Sequence, residues 1–193
     1  MTEVKLGLDR TMTEELDKLT EVAKHQKGYI ATYQLDVSGQ LLRHHEQANR
    51  LERVMRGIYR LTHFSAEEDE QLVVAYLWSK EQGTISHESA LSIHNLCDAL
   101  PKKVHLTLPE DQRRVRRKTP EWLELHFADI PEEDKDWYDV VPVTRPARTL
   151  VDVAIDRIEL EQLRQAVEDA KERQMVDAGF EWELIARLQE RCS

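Results

Sequence analysis

Five arginines lie in one short stretch of an otherwise acidic chain, the segment SGQLLRHHEQANRLERVMRGIYRL at residues 38–61. Glutamine and histidine side chains are set among them. Arginine and glutamine carry planar hydrogen-bonding groups that pair with guanine O6/N7 and adenine N6/N7 in the major groove of DNA. Arginine also holds phosphate groups along the backbone. These residue types therefore indicate a surface that binds DNA.

A helix from Gln40 to Asn49, capped by Ser38, is predicted to position the first part of this set. At 100° per residue one side of the helix is apolar and includes His45, which we expect to be packed rather than functional. The opposite side is polar, and a recognition helix presents such residues to base edges. The residues predicted to contact DNA from this helix and its end are Gln40, Arg43, His44, Gln47 and Arg50.

The next residues predict a β-hairpin, with a turn at Arg56-Gly57 between two runs rich in Val, Ile, Met and Tyr. The hairpin would place Arg53, Arg56 and Arg60 beside the helix, where they could hold phosphates or enter a minor groove. A first helix in residues 11–28 and a short second helix beginning at Thr32 precede it. Three helices followed by a hairpin predict a winged helix-turn-helix over residues 11–62, after a flexible tail at residues 1–10.

Residues 65–193 predict a second domain that mixes helices and strands. Alternating or continuous apolar runs predict strands at residues 104–109, 122–130 and 138–144. Amphipathic segments that start near residues 65, 86, 145, 159 and 179 predict helices. The expected fold class is therefore α+β, with an N-terminal winged helix-turn-helix followed by a mixed α/β C-terminal domain.

Three segments resemble the AbiEi antitoxins of type IV toxin–antitoxin systems: LLRHHEQANRLERVMRGIYRL, TISHESALSIHNLCDALPKKVHLTLP and VTRPARTLVDVA. The resemblance extends over about residues 12–175. It implies a winged-helix domain before a mixed α/β antitoxin domain, repression of the chain's own operon at operator DNA, and counteraction of a nucleotidyltransferase toxin encoded beside it. The family's operator-binding elements correspond to Gln40 through Arg60. Stand-alone regulators also occur in the family, so a repressor without a toxin is the alternative.

The second domain offers few residues for catalysis or metal binding. SHES, residues 86–89, contains side-chain types used by hydrolases, but neighbouring helical residues point in different directions, so we expect Ser86 to cap a helix. His105 and His126 would approach each other if their two predicted strands pair. Zinc needs additional ligands, and Cys97 is the nearby thiol. The sequence therefore favours a polar sheet face and predicts no catalytic residue, metal or other cofactor.

A second basic cluster, QRRVRRK at residues 112–118, is predicted to lie in a loop between strands. It could be a solvated loop, or it could contact phosphates, RNA or an acidic partner. Its charged members are Arg113, Arg114, Arg116, Arg117 and Lys118. Further on, Arg145 and Arg148 lie around a Pro-initiated helix that contains Asp152. We expect buried ion pairs there that fix the junction between sheet and helix.

Charge is distributed unevenly along the chain, whose net charge is -10. From Lys24 to Arg60 there are seven Lys/Arg and three Asp/Glu, whereas from Glu121 to the end there are nine and nineteen. This asymmetry predicts different partners for the two segments. A nuclease that cuts what the first domain binds is the rival from another class, although no strand pairs an acidic residue with a following Glu-x-Lys.

The sequence also favours a cytoplasmic protein without membrane contact. No apolar run approaches the roughly 20 residues that cross a bilayer, and the first residues lack the apolar core of a signal peptide. Cys97 and Cys192 are therefore expected to be reduced thiols.

Overall fold

The computed structural model describes residues 15–66, 69–96, 101–116, 118–156, 158–177, 179–180 and 184. The protein is α+β and divides into two compact units, an N-terminal unit of residues 1–81 and a C-terminal unit of residues 82–193. The predicted tail at residues 1–10, both cysteines and most of the last predicted helix lie outside the described residues.

The N-terminal unit combines helices with a small antiparallel sheet of strand order β1-β3-β2. Its elements are α1 (described over residues 15–24), β1 (Tyr29–Ala31), a 3₁₀ turn (Thr32–Gln34), α2 (Gly39–Gln47), β2 (Leu51–Met55), β3 (Ile58–Leu61) and α3 (Glu70–Trp78). The predicted third helix and the hairpin are both confirmed. The Ser38 hydroxyl caps α2 by accepting a hydrogen bond from the Leu41 amide at 3.2 Å.

One apolar core joins α1, α2 and the three strands. Leu19 and Ala23 of α1, Leu42 of α2 and Leu61 of β3 are buried together. Gly28 ends the turn after α1 with φ +89°, and a Cβ at this position would lie 2.4 Å from Cβ of Phe64. Only glycine suits both the backbone angle and the available space.

The second predicted helix is wrong. Tyr29, Ile30 and Ala31 form strand β1, which pairs with β3, and only the single 3₁₀ turn Thr32–Gln34 follows it. All three strand residues are buried. Pairing with β3 satisfies their backbone and places their side chains in the core, so tertiary contacts override the local helical pattern.

The boundary between the units also differs from the sequence-based estimate of residues 62–65. The helix α3 belongs to the N-terminal unit, because it packs on β1 and β3. The Tyr29 hydroxyl donates a hydrogen bond of 2.6 Å to Glu70 Oε2. Burial, reinforced by the Glu70 carboxylate, raises the pKa of the Tyr29 phenol. The division therefore falls between Glu81 and Gln82.

The C-terminal unit contains a five-stranded mixed sheet of order β6-β5-β4-β8-β7. Its elements are β4 (Thr84–Ile85), α4 (His87–Ile93), β5 (Val104–Leu108), β6 (Leu123–Phe127), β7 (Lys135–Tyr138), β8 (Val141–Thr144), α5 (Pro146–Ile155) and α6 (Leu160–Glu172). Strand β5 runs parallel to β6, and β4 runs parallel to β8. The other neighbours are antiparallel.

Three of these strands, β5, β6 and β8, are the predicted ones, whereas β4 and β7 are not predicted. Strand β4 has only two residues, and β7 is a largely charged edge strand that is poorly buried. Neither carries an apolar alternation long enough to detect. Helices α4, α5 and α6 share a core that includes Leu91, Leu150, Val153 and Ala166. Among the described helices, none combines the length and apolar character needed to cross a bilayer.

Candidate functional site

The polar side of α2 is exposed, as the helical pattern predicts. Leu41, Leu42 and His45 face the core, whereas the side chains predicted to read bases are open to solvent: Gln40, Arg43, His44 and Gln47. The N-terminal unit therefore presents two amides, one guanidinium group and one imidazole on the exposed side of a short helix.

The hairpin extends this exposed basic surface. Arg50 lies just after α2, Arg53 lies on β2, and Arg56 lies at the turn with Gly57, whose φ is +81°. These arginines are exposed. Within the described part of the chain, none of them forms an ion pair, and the same is true of Arg43. Their charge is therefore directed to solvent.

Arg60 differs from the other arginines of this surface. Its side chain is 16% exposed and forms an ion pair with Glu52, its cross-strand partner. It also donates a hydrogen bond of 3.0 Å to the Phe64 carbonyl. Arg60 is thus engaged in holding β2, β3 and the following loop together.

His45 is fully buried, which confirms that it is packed. Among the described residues, neither ring nitrogen has a hydrogen-bond partner. Burial lowers the pKa of His45, and the nearby positive charge of Arg50 adds to this effect. The ring is therefore held neutral at neutral pH.

The C-terminal unit contains a cluster of three histidines on one face of its sheet. Strands β5 and β6 pair, and His105 Nδ1 lies 3.0 Å from His126 Nε2. The sequence predicted that the two histidines would approach each other if their strands paired. His87, at the start of α4, stacks on His126 with ring centroids 3.5 Å apart and an interplanar angle of 14°. We call these three residues the histidine cluster.

The local backbone at His87 explains how it joins this cluster. His87 has φ +50°, an unusual value for a residue with a side chain. Its Nδ1 lies 2.9 Å from the Ser86 hydroxyl, so the expectation that neighbouring side chains here point apart is wrong. Ser86 is the N-cap residue of α4, as predicted, but its side chain forms no capping hydrogen bond. Its hydroxyl instead makes a hydrogen bond of 2.7 Å with the Thr107 hydroxyl.

Two carboxylates face the histidine cluster. Asp156 Oδ2 lies 3.1 Å from His126 Nδ1 and 3.4 Å from His87 Nε2. Glu88 Oε2 lies 3.8 Å from His105 Nε2. Asp156 comes from the end of α5 and is about half exposed at 47%. Two carboxylates and three imidazoles are thus connected in one polar network.

Burial governs the charge state of this network. Desolvation lowers the pKa of both His105 and His126. The nearby carboxylates oppose this effect: Glu88 raises the pKa of His105, and Asp156 raises the pKa of His126. Neutral imidazoles each keep one lone pair, which can accept a hydrogen bond or ligate a metal.

Two clefts open beside the histidine cluster, with volumes of about 340 Å³ and 280 Å³. Both are lined by His87, His126 and Asp156. Arg113 and Arg148 line the larger cleft. The smaller cleft is lined by acidic residues, including Glu88. Groups bound at the three shared residues are therefore accessible from solvent.

Ion pairs around α5 were predicted for Arg145 and Arg148, and Arg148 forms them. Arg148 pairs with Asp152 at 2.9 Å and with Asp134 at 3.2 Å, and its side chain is mostly buried. Burial raises the pKa of Asp152, while Arg148 opposes this effect. Arg145 is exposed and instead donates a hydrogen bond of 2.9 Å to the Lys135 carbonyl.

The second basic cluster lies between β5 and β6, as predicted, but its first residues belong to a 3₁₀ turn, Glu110–Arg114, rather than to a loop. Arg113 pairs with Glu110 and lies over the Phe127 ring, 5.3 Å from its centroid. Arg114, Arg116 and Lys118 are exposed, and Arg117 lies outside the described residues. The cluster is therefore partly engaged in local contacts.

Sequence reasoning missed His87 and Asp156 as members of a site. One signal was available, because Arg148, Asp152 and Asp156 recur every four residues in an otherwise apolar helix and so share one face. The backbone angle of His87 has no comparable signal in the sequence.

Comparison with known proteins adds a likeness of fold. No family model and no curated protein matches the chain. The crystal structure of RV2827C protein from Mycobacterium tuberculosis is similar, with a TM-score of 0.51 and 12% sequence identity. The match covers 92% of this chain and 81% of that chain. At this identity the likeness concerns the fold alone.

Proposed function

We propose that this chain is a DNA-binding transcriptional regulator whose N-terminal unit is a winged-helix domain in which the 3₁₀ turn Thr32–Gln34 stands where a second helix was predicted. In this proposal α2 is the recognition helix and the β2–β3 hairpin is the wing. The observation that carries the proposal is the exposed polar face of α2 beside exposed arginines of the hairpin, on a chain whose net charge is -10. A cationic surface on an acidic protein favours association with an anionic partner such as DNA.

The size and chemistry of α2 suit the major groove. An α-helix with its side chains is about 10–12 Å in diameter, and the groove is about 12 Å wide. Arg43 and Gln47 lie one turn apart on its exposed side, where each can form two hydrogen bonds with a base edge. Arg53 and Arg56 are suited to phosphate contacts that hold the protein in register.

A different task is proposed for the C-terminal unit. Residues 82–193 contain sixteen Lys/Arg and twenty-three Asp/Glu, so their overall charge does not attract DNA. The resemblance to AbiEi antitoxins supports counteraction of a nucleotidyltransferase toxin, together with repression of the chain's own operon. A stand-alone repressor is the alternative, and the presence of a toxin gene next to this one would distinguish the two.

The DNA-binding proposal is tested by titrating the whole protein into a fluorescent duplex that covers its own promoter. Affinity should fall with salt by about 0.9 log–log unit for each phosphate contacted. Arg43→Ala and Gln47→Ala should each weaken the cognate site by about 1–3 kcal/mol and reduce preference at one base position. Arg53→Ala and Arg56→Ala should weaken all sequences nearly equally.

Arg164→Ala is the matched control, since Arg164 is an exposed arginine on α6 of the other unit. This variant should bind like the unmodified protein. A salt-insensitive affinity would contradict the proposal. Hairpin variants that change base preference, combined with α2 variants that do not, would contradict the choice of α2 as the recognition helix.

A further inference from the structure

The distances around Asp156 match those of a metal site. His87 Nε2 and His126 Nδ1 lie 3.4 Å and 3.1 Å from Asp156 Oδ2. In a tetrahedron with zinc–nitrogen and zinc–oxygen bonds of about 2.0–2.1 Å, neighbouring ligand atoms are about 3.3 Å apart. We propose that His87, His126 and Asp156 form a binding site for a divalent transition-metal ion, with Zn²⁺ as the best-suited ion.

The third edge of the site, between the two imidazole nitrogens, requires the rings to move before one ion can bind both. The ligand atoms of the three residues all lie within 4.8 Å of one another. The two rings are nearly parallel, so their lone pairs converge on one ion only when the rings tilt apart. Asp156 is half exposed, and both clefts reach it, which provides a path for the ion and space for the tilt.

The outer nitrogens of both rings are held in place. His87 Nδ1 contacts the Ser86 hydroxyl, which in turn contacts Thr107. His126 Nε2 contacts His105 Nδ1, and Glu88 lies beyond His105. Metal-binding histidines almost always have a partner on the second nitrogen, and it fixes the tautomer and orients the ring. Both inner nitrogens are thereby directed towards Asp156.

His87 is one of eight described non-glycine residues with a positive φ, and its backbone angle orients its ring. A left-handed φ of +50° is unfavourable for a residue with a side chain. Backbone strain of this kind concentrates at functional sites, where the surrounding structure maintains it. Here the strained angle places the His87 ring over His126.

The ligand set selects the class of ion. Mg²⁺ and Ca²⁺ prefer oxygen ligands, whereas two imidazoles and one carboxylate suit Zn²⁺ and its neighbours in the transition series. Three protein ligands leave the fourth position of a tetrahedron for water or an anion. This position is accessible from the larger cleft. The bound ion would therefore be open to small anions.

The test is a calorimetric titration of the metal-free, full-length protein with zinc chloride. One Zn²⁺ should bind per chain. Asp156→Asn and His126→Gln should weaken binding by about 100-fold or more, because each removes a ligand. His105→Gln should weaken it by about 10- to 100-fold, as expected for an outer partner. His44→Gln is the matched control, since His44 is an exposed histidine of the N-terminal unit.

Asp156→Asn is the deciding variant, since this side chain is half exposed and the change is nearly isosteric. Circular dichroism would confirm that the variant is folded. Wild-type affinity in Asp156→Asn, or no one-site binding in the unmodified protein, would overturn the proposal. Cobalt(II) absorption adds a spectroscopic readout: a tetrahedral spectrum without a thiolate charge-transfer band is expected, and a thiolate band would overturn the ligand assignment. Neither measurement depends on DNA binding.

Discussion

Buried histidines occur in both units, with different surroundings. His45 has no hydrogen-bond partner among the described residues, whereas His126 contacts both His105 and Asp156. A buried ring without a partner costs stability when protonated, because the charge is neither solvated nor paired. His45 is therefore a source of acid sensitivity in the N-terminal unit.

Replacing His45 by leucine should make unfolding less dependent on pH. Burial lowers the pKa of His45 in the folded state below its usual 6.5. The unfolded chain then binds more protons, so stability is full above about pH 6.5 and falls as the pH drops towards the folded pKa. Thermal unfolding from about pH 8 to pH 5 should show a smaller loss of Tm in His45→Leu than in the unmodified protein.

His44→Leu is the control for this comparison, because His44 is exposed and adjacent in sequence. It should keep the original pH dependence. Equal acid sensitivity in all three proteins would show that the His45 ring is not the origin.

At the residue scale, the sequence predicted which side chains of a helix are buried, because helical periodicity by itself determines them. His45 shares a face with Leu41 and Leu42, so its burial was predictable. The left-handed backbone of His87 depends on the sheet and helices around it, and local sequence does not reveal it.

At the scale of elements, Arg148 connects α5 to the segment that precedes β7. It pairs with Asp152 within α5 and with Asp134 in the 3₁₀ turn Glu132–Asp134. Loss of one partner leaves a buried carboxylate without compensation, which is more costly than the pair itself is favourable. The connection between α5 and the segment before β7 therefore depends on the Arg148 guanidinium group.

Arg148→Met should destabilise the protein by about 3–5 kcal/mol, because it leaves Asp152 buried without its partner. Arg148→Met combined with Asp152→Leu should recover a large part of this loss. Arg145→Met is the control, since the Arg145 side chain is exposed and donates its hydrogen bond to the Lys135 backbone carbonyl. This variant should lower the free energy of unfolding by under about 1 kcal/mol. Urea unfolding measures all three, and equal losses for the two single variants would contradict this account.

The elements that could be predicted are those with their own periodicity. Strands β5 and β6 alternate apolar and polar residues, and α2 has a clear apolar face. Strands β1 and β4 were not predicted, and the residues just after β1 were mistaken for a helix. Such short strands exist because a partner strand satisfies their backbone, and the partner is distant in sequence.

At the scale of the whole molecule, the unit boundary decides which fragments can be compared. A fragment that ends at residue 62 lacks α3 and the Tyr29–Glu70 hydrogen bond, so the N-terminal fragment has to extend to Glu81. The corresponding C-terminal fragment begins at Gln82.

These fragments should divide the proposed functions. Residues 1–81 should retain operator binding and repression, because they carry the exposed arginines. Residues 82–193 should retain at least part of the protection against the adjacent toxin. Growth of cells that express the toxin with each fragment, together with a promoter reporter, measures both. Protection by residues 1–81 alone, with none from residues 82–193, would contradict this division.

The basic cluster provides a finer comparison within the C-terminal fragment. Reversal of Arg114 and Arg116 to glutamate changes exposed charges between β5 and β6. Loss of protection would assign the antitoxin surface to this loop, whereas unchanged protection would identify it as a solvated loop.

The two-residue strand β4 has a consequence for how fast the C-terminal unit folds. Ile85 pairs with Leu106 on one side and with Val143 on the other, so β4 is the central strand of the sheet. Pairing with Val143 closes a long loop, and the entropy lost in loop closure precedes any gain from the contact. Chains with such high contact order fold slowly. His87 lies two residues after β4 and Asp156 follows β8 through α5, so the pairing of β4 with β8 is what brings these two residues, distant in sequence, together.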